Sequence, residues 1–588
     1  MEVLPWVVLF SCLTLPRKRH NLQHVPHCNT AYRNVRSRPV SHRNTLHHNN
    51  EKPAMTAQPA AAPTPHPFTL RLALGLIGVL IAALTSGLND RVTDIALADI
   101  RAAIGVSYDQ GSWIVSSYQA AEVAAMMIAP WFAVTFSLRR FSLTVSTGFL
   151  LCGILLPLAP SPGSFIVLRV LQGLFGGALP PMLMTVALRF LPPPLKLYGL
   201  GGYALTATFG PNMAASLAAF WTDDVSWMFV FWQVVPLMLI AMLLFGWGLP
   251  QDPLRLERFK QIDLFGMLTG CSGMALLVLA LTQGERLDWF DSPLIAAMLL
   301  AALPLLLVFL INEWFHPLPL FRLQMLSRRN LTHGLLALAT VLVVSLSGSA
   351  LPSAYFGQVE GFRTLQFAPL ALTVGLPQLL IAPLVAALLN IRWIDCRWVL
   401  AAGVALLITA CLLGSQITSD WARQNFWTLQ ILQAFGQPMV ILPILMSATS
   451  VVAPPEGPFA SAMFNTVRGF SSVAASVLVE VFLSHREKIH SNVLLDQAAS
   501  RPWLMSATNS ADAGASRPLL MDGSVSSSEN LSGFATLVRH QATVLGLSDS
   551  WLMLIAFAAL LLLLTAWLPK RVWPPQTLIQ PASSTSRK

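Results

Sequence analysis

Charge is what this chain has least of. Asp, Glu, Lys and Arg make up only 11% of its 588 residues, whereas soluble domains carry about a quarter. A deficit spread over the whole length excludes an ordinary water-soluble fold and makes lipid the main solvent. Cysteine is scarce too. The six, Cys12, Cys28, Cys152, Cys271, Cys396 and Cys411, form no CxxC pair, so neither a zinc site nor a disulfide framework is indicated. Four of them lie in or beside apolar runs and read as small buried hydrophobes. Also missing are a GxxxxGK phosphate loop, an HExxH metal motif, a catalytic Ser/His/Asp cluster and a large soluble domain. These gaps argue against an enzyme, against a resident metal or cofactor, and against ATP as the energy source.

What the chain does have is long apolar runs. Hydrophobic residues reach 54% and the mean hydropathy is +0.61. About 20 apolar residues cross a hydrocarbon core of roughly 30 Å. Lipid cannot satisfy free backbone groups, so spans are helices or barrel strands. Runs this long and continuous predict helices, hence an all-α integral membrane protein. Fourteen segments are read, at roughly 71–97, 112–134, 141–160, 164–187, 198–219, 227–249, 262–282, 292–312, 331–352, 366–389, 397–416, 426–449, 457–483 and 550–568.

The net charge of +10 sits between these runs, which points to membrane topology and not to nucleic acid. Arg139 and Arg140 follow span 2, Arg189 and Lys196 span 4, and Arg255, Arg258 and Lys260 span 6. Arg322, Arg328 and Arg329 follow span 8, Arg392 and Arg397 span 10, and Lys570 and Arg571 span 14. The alternate loops lean acidic, with Asp109, Asp223, Asp224, Glu285, Asp288 and Asp291. Positive loops stay in the cytoplasm. The expectation is a multi-pass protein of the cell (inner) membrane with both ends cytoplasmic. Residues 484–549 are polar and Ser-rich and read as one long outward loop before the last span. Residues 1–66 read as a disordered tail, whose histidines suit disorder better than metal binding. Met55 opens an ordinary cytoplasmic tail and reads as the true start, which leaves 1–54 outside the native chain.

Polar groups inside spans are costly, by about 2.5–3.5 kcal/mol for Asp or Arg on insertion scales, so they mark where function is to be sought. Glu122 lies near the centre of span 2, "GSWIVSSYQAAEVAAMMIAP", with no basic residue on the same helix. Such a carboxylate can take a proton from one side and release it to the other, or it can stay protonated and only pack. Asp90 and Asp94 share a helix face, and Arg91 is placed to pair with Asp94. Asp90 lies about 28 Å along the helix from Arg71, in the outer half; for Asp94 a solvated rim is the stronger reading. In span 4, Arg169, Gln172, Gly173 and Gly177 share one broad face, the glycines allowing close helix approach. Gly210–Pro211 removes a hydrogen bond in span 5. Gln430, Gln433 and Gln437 form one stripe on span 12, suited to a cavity wall or to hydrogen bonds between helices. Arg468 sits within span 13.

These motifs, in this order, resemble the major facilitator superfamily, and within it the fourteen-span drug:H+ antiporters of the EmrB/QacA type, over about residues 70–570. "LNDRVTDIALADI" is similar to the span-1 motif LDxTxxNVALPxI, and "GSWIVSSYQAAE" to the start of span 2, where many members carry a carboxylate at the position of Glu122. "RVLQG" matches RxxQG, Gly210–Pro211 the span-5 antiporter motif, and "SWMFVFWQVVP" looks like DWRWIFxINVP. "LSRRNLT", "NTVRG" and "SHREKIH" echo the second half. The chain departs from the family at Asn89, which replaces the span-1 Asp. It departs again in the loop motif GxLADRxGRR, where Trp131, Ala133, Arg139 and Arg140 remain but Val134 and Ser137 stand for the Asp and the second Gly.

The resemblance implies the major facilitator fold: a six-helix bundle at 67–250, two extra spans within 251–325, a second six-helix bundle at 326–570, and a cytoplasmic tail at 571–588. It implies proton-coupled efflux of amphipathic drug-like compounds by alternating access, with Glu122, Asp90 and Asp94 handling protons. Asn89, Arg91, Arg169, Gln172, the three glutamines and Arg468 are expected at the cavity, while Arg139, Arg140, Gly173, Gly210 and Pro211 serve the conformational change. The competing expectation is proton-coupled uptake of an organic anion held by Arg468. The partners implied are a small-molecule substrate, protons, the bilayer, and a periplasmic adaptor with an outer-membrane channel; no nucleic acid is expected.

Overall fold

The structure is a computed structural model that describes residues 68–453, 456–500, 528–568 and 572–575. The tail 1–66, the stretch 501–527, and Lys570 and Arg571 lie outside the described residues. Every described element is helical. Among the described residues there are fourteen long rods: α1 Leu70–Ile95, α2 Tyr108–Phe136, α3 Leu138–Leu155, α4 Pro162–Phe190, α5 Lys196–Ala219, α6 Phe229–Gly248, α7 Leu264–Gly284, α8 Pro293–Phe315, α9 Arg329–Ser345, α10 Thr364–Leu389, α11 Cys396–Gly414, α12 Arg423–Thr449, α13 Gly457–Ser500 and α14 Ser528–Ala566.

Thirteen of these rods are long and apolar enough to cross a membrane. The exception is α5, KLYGLGGYALTATFGPNMAASLAA. Its small and hydroxylated residues suit a helix that meets other helices instead of lipid, and it packs along α1, α10 and α12. The reverse case is α8, whose leucines are mostly exposed.

Within the first half, α1 packs on α6, α2 on α4, and α3 on both α4 and α6. Within the second, α11 packs on α12, α10 on α12, α13 on α14, and α9 on α12, α13 and α14. The halves meet along α5–α10, α2–α13, α5–α12 and α4–α13. The hairpin α7–α8 lies across this seam, with α7 touching α2 on one side and α13 on the other. At its tip Arg286 pairs with Asp109 at 2.9 Å, while Glu285 accepts from Ser484 at 2.8 Å.

The expected outward loop at 484–549 is corrected. Residues 484–500 continue α13 and 528–549 begin α14. At 44 and 39 residues these helices are about 66 and 58 Å long, well beyond a hydrocarbon core of about 30 Å. Their polar ends are held together by Asp549, which accepts from Arg486 Nε and contacts His490 Nε2, each at 2.7 Å. A small apolar cluster of Ala498, Phe534 and Val538 continues that pairing. A polar sequence stays helical here because two helices bury each other's apolar stripe.

Candidate functional site

A cavity of about 400 Å³ lies in the seam. Its walls come from α1, α5, α10, α12 and α13 and from the end of α9 with the residues that follow it. On α1, α9 and α10 the lining residues belong to the half of the helix nearer the acidic loops. Toward the basic loops the seam is closed by contacts between the halves. Ser461 Oγ donates to Pro181 O at 2.8 Å, and Tyr203 Oη donates to Asn465 Oδ1 at 3.1 Å. Arg468 donates to Thr206 Oγ1 at 2.7 Å and to Thr206 O at 2.6 Å.

Beside the cavity lies a cluster of three acids and three arginines drawn from α1, α2, α4 and α13. Arg91 is within 4.0 Å of Asp90 and 3.9 Å of Asp94, and it donates to Ser472 on α13 at 2.9 Å. Glu122 stands in the field of Asp90, Arg468, Arg91 and Arg169. Those neighbours come from α1, α4 and α13. Arg169 is fully buried. Its Nε donates to Ile114 O at 3.3 Å and its Nη1 to Gln172 Oε1 at 2.8 Å, and its guanidinium carbon sits 4.1 Å from the centre of the Tyr118 ring. One proton gained or lost at Glu122 changes the charge of this enclosed cluster by one. Because Asp90 and Arg169 are buried, that change is screened less there than it would be in bulk water.

The glutamine stripe joins helices and also reaches the cavity. Gln378 and Asn212 both donate to Gln437 Oε1, at 2.8 and 3.2 Å. Gln437 donates to Gln433 at 3.2 Å, and Gln433 to Ser347 Oγ at 2.6 Å. Gln430 and Gln437 line the cavity and Gln433 does not. Gln430 and Gln437 are thus both wall and inter-helix bond, whereas Gln433 only bonds between helices.

Arg91, Asp94 and Pro211 also line the cavity. Asn89, Asp90, Arg169 and Gln172 are buried in the helix packing, and Glu122 and Arg468 are partly buried beside the lining. The expectation that Asn89, Arg169, Gln172, Gln433 and Arg468 face the cavity is corrected: they are not in its lining, Arg169 and Gln172 being bonded within the α2–α4 packing, Arg468 to Thr206 on α5, Gln433 to Ser347, and Asn89 buried on α1. Glycines explain how α4 comes so close. A β-carbon at Gly173 would lie 2.5 Å from Tyr118 O, and one at Gly177 would overlap the carbonyl oxygen of Glu122. Gly210 faces the backbone of Gly87 at 3.6 Å. Sequence reasoning missed Glu480, a cavity-lining acid on α13. The signal was available in "VLVEVFLS", an acid within an apolar run. Among the described residues no group of His, Cys, Asp or Glu is placed to hold a metal ion.

Arg139 and Arg140 stand at the α2–α3 turn. There Ser137 adopts φ +75°, a conformation that glycine takes without penalty and a side chain does not, and its buried hydroxyl has no partner. The turn keeps its shape although a serine occupies it. Ser137→Gly is expected to stabilise the protein by about 1 kcal/mol, read as a raised unfolding temperature in detergent; an unchanged or lowered value would count against strain at this turn. On the same face Arg328 clamps Glu456 with bonds of 2.5 and 2.8 Å. These bonds hold the Glu456 carboxyl below the usual carboxylate range.

Known proteins place this architecture. The Major Facilitator Superfamily model matches residues 79–485. The chain is 23% identical over 434 residues to the multidrug export protein EmrB of Haemophilus influenzae, covering 72% of this chain and 83% of that one. It is 25% identical to the probable multidrug resistance protein EmrY of Escherichia coli, covering 71% and 81%. Among solved structures it is similar to the human organic anion transporter MFSD10, at 14% identity and a TM-score of 0.49, over 83% of this chain and 99% of that one.

Proposed function

Because the chain belongs to the major facilitator superfamily, and is therefore a multi-pass membrane transporter of small molecules and not an enzyme, we propose that it exports amphipathic, drug-like compounds in exchange for protons. The observation that carries this reading is the cavity in the acidic half of the seam, with the acid–arginine cluster beside it and the basic half shut. In this reading the basic face and both ends are cytoplasmic, the membrane is the inner one, and the cavity is open to the outside. A proton taken up by Glu122, with Asp90 beside it, unbalances the cluster. That weakens the hold of α13 on α1 through Arg91 and Ser472 and lets the halves rock. The proton leaves toward the cytoplasm as a compound loads from that side. Moving one charge through 100 mV supplies about 2.3 kcal/mol.

The similarity to EmrB also suggests an adaptor leading to an outer-membrane channel, with the protruding ends of α13 and α14 as its contact. Uptake of an organic anion is less well supported, since Arg468 is outside the cavity lining and is bonded to Thr206 on α5.

Energised inverted vesicles carrying the wild-type chain should accumulate a fluorescent amphipathic probe and lose it on addition of an uncoupler. Glu122→Gln should bring accumulation down to that of vesicles without the protein. Full activity of that variant would remove Glu122 from the mechanism, and no accumulation by the wild type would overturn export itself.

A further inference from the structure

We propose that a cleft on the basic face of the first half holds the phosphate of an anionic phospholipid headgroup between Arg71 and Arg139. The cleft, of about 350 Å³, lies between the starts of α1 and α3 and the end of α6, with Arg71, Arg139 and residues 248–251 in its wall. It shares no lining residue with the cavity in the seam, so the inference is independent of what the seam transports. Arg71 is exposed and Arg139 half-buried, so neither is sealed in the packing. Arg71 is fixed in place: its Nε donates to Trp247 O at 2.7 Å, and its guanidinium carbon sits 5.4 Å from the centre of the Trp247 ring. Its two Nη groups make no bond among the described residues, and a guanidinium held by Nε presents them as a pair of donors to an oxyanion. Arg139 has no hydrogen bond, ion pair or ring contact among the described residues. A third cation, Arg140, borders the cleft through Gln251, whose amide oxygen, in the orientation that satisfies both groups, accepts from Arg140 Nη2 at 2.8 Å and Nε at 3.1 Å.

No protein carboxylate balances this charge. Among the described residues no Asp or Glu forms an ion pair with Arg71, Arg139 or Arg140. The sequence has no acid at all from 123 to 222, and Val134 stands where the resembled loop motif has its Asp. Asp252, next to the cleft, is taken by Arg189 through bonds of 2.6 and 3.0 Å. Two like charges lining one cleft repel each other, and an oxyanion between them replaces that repulsion by attraction. The surface beside the cleft marks the anion as a lipid. Leu70 and Ile77 on α1 and Leu243 and Trp247 on α6 are exposed, as side chains that meet acyl chains are, and a tryptophan beside an arginine is typical of the membrane–water boundary. The two helices meet at their glycines: a β-carbon on Gly248 would lie 2.4 Å from Gly75 N and 2.5 Å from Arg71 O. A phosphate held by Arg71 and Arg139 therefore leaves its acyl chains to lie along α1 and α6. Basic pockets at a membrane surface recognise anionic headgroups in this way. A zwitterionic headgroup brings its own cation and gains less.

The full chain in neutral detergent is titrated with dioleoylphosphatidylglycerol and with dioleoylphosphatidylcholine, and bound lipid is counted by native mass spectrometry. The wild type should hold its first phosphatidylglycerol about tenfold or more tighter than phosphatidylcholine. Arg71→Gln and Arg139→Gln should each weaken phosphatidylglycerol by about fivefold, the factor expected of one arginine near an anionic headgroup, and leave phosphatidylcholine unchanged. Because Arg139 has no partner in the protein, Arg139→Gln should unfold at the wild-type temperature without lipid, and added phosphatidylglycerol should raise that temperature less than it does for the wild type. Arg329→Gln removes a cation from the same face of the second half and should change neither reading. Glycerol 1-phosphate, the same phosphate without chains, should compete poorly. Equal binding of the two lipids, undiminished binding in Arg139→Gln, or an equal loss in Arg329→Gln overturns the proposal. Competition by glycerol 1-phosphate as strong as by the lipid would make the cleft a site for soluble phosphates and overturns the lipid.

Discussion

Replacing Gly177 with Val is expected to leave little or no assembled protein in the membrane. Gly177 faces the backbone of α2 at Glu122, where an added β-carbon would meet the carbonyl carbon and Cα at 2.8 Å and overlap the oxygen. Ordinary contacts of such atoms are about 3.5–4.0 Å. The obstacle is backbone, so no side chain can swing aside. Sliding the helices offers no escape either. Gly173 meets Tyr118 O at 2.5 Å and Gly176 meets the Tyr118 hydroxyl at 2.5 Å, so the whole face is at its limit. Overpacking a core costs about 1–3 kcal/mol when side chains can adjust; a backbone clash that separates α2 from α4 is expected to exceed that. The measurement is membrane yield and unfolding temperature of Gly177→Ala and Gly177→Val beside Gly163→Ala. Gly163 is the control on the same helix, with nothing near its missing β-carbon. The series should fall from wild type to Ala to Val, with Gly163→Ala unchanged. A Gly177→Val variant that is made and melts like the wild type would mean that α2 and α4 are not in contact at this level.

That stripe is a case where the sequence carried the structure well. Glycines at helical spacing beside an arginine, inside an apolar run, have few uses other than close packing. The rods were legible for the same reason: lipid imposes one length and one secondary structure on any chain that crosses it. Even α5 could be read, although its composition is only mildly apolar, because flanking runs and loops leave room for nothing else. The helical continuation of α13 through "SHREKIHSNVLLDQAAS" was not legible. Its helicity depends on α14, more than 50 residues away, through pairs such as Arg486 with Asp549. Local composition says only that the stretch is polar.

The site divides along the same line. Glu122, Asp90, Arg169 and Arg468 announce themselves because each is expensive inside a membrane. Which of them face the cavity does not follow from cost. A buried charge can be stabilised by a neighbouring helix as well as by water, and Arg468 bound to Thr206 is the example. Glu480 lies inside the span read at 457–483, but near its polar end, where an acid costs little, so cost did not single it out; the structure puts it in the cavity wall.

Removing the Arg169 side chain is expected to cost the protein roughly 3 kcal/mol, and removing Asp90 with it should return much of that loss. Arg169 is fully buried, so its charge is tolerated only through Ile114 O, Gln172 Oε1, the face of Tyr118 and the acids around it. Asp90 is buried as well, with one carboxylate oxygen lacking any hydrogen bond. Its remaining cation, Arg91, is at 4.0 Å and is shared with Asp94. In Arg169→Leu the acids would outnumber the arginines by one in a space with little water. Breaking a buried pair from one side costs about 3–5 kcal/mol, whereas removing both members together is often nearly neutral. The lower figure applies because Arg91 and Arg468 still act on the acids. The check is a double-mutant cycle on unfolding temperature with Arg169→Leu, Asp90→Asn and their combination. A coupling above about 1 kcal/mol is expected, since groups in one network do not add. Strict additivity would mean that Arg169 and Asp90 are stabilised separately. In that case a proton on Glu122 could not be felt across the cluster, and the link between protonation and the opening of the seam would have to run through Arg91 alone.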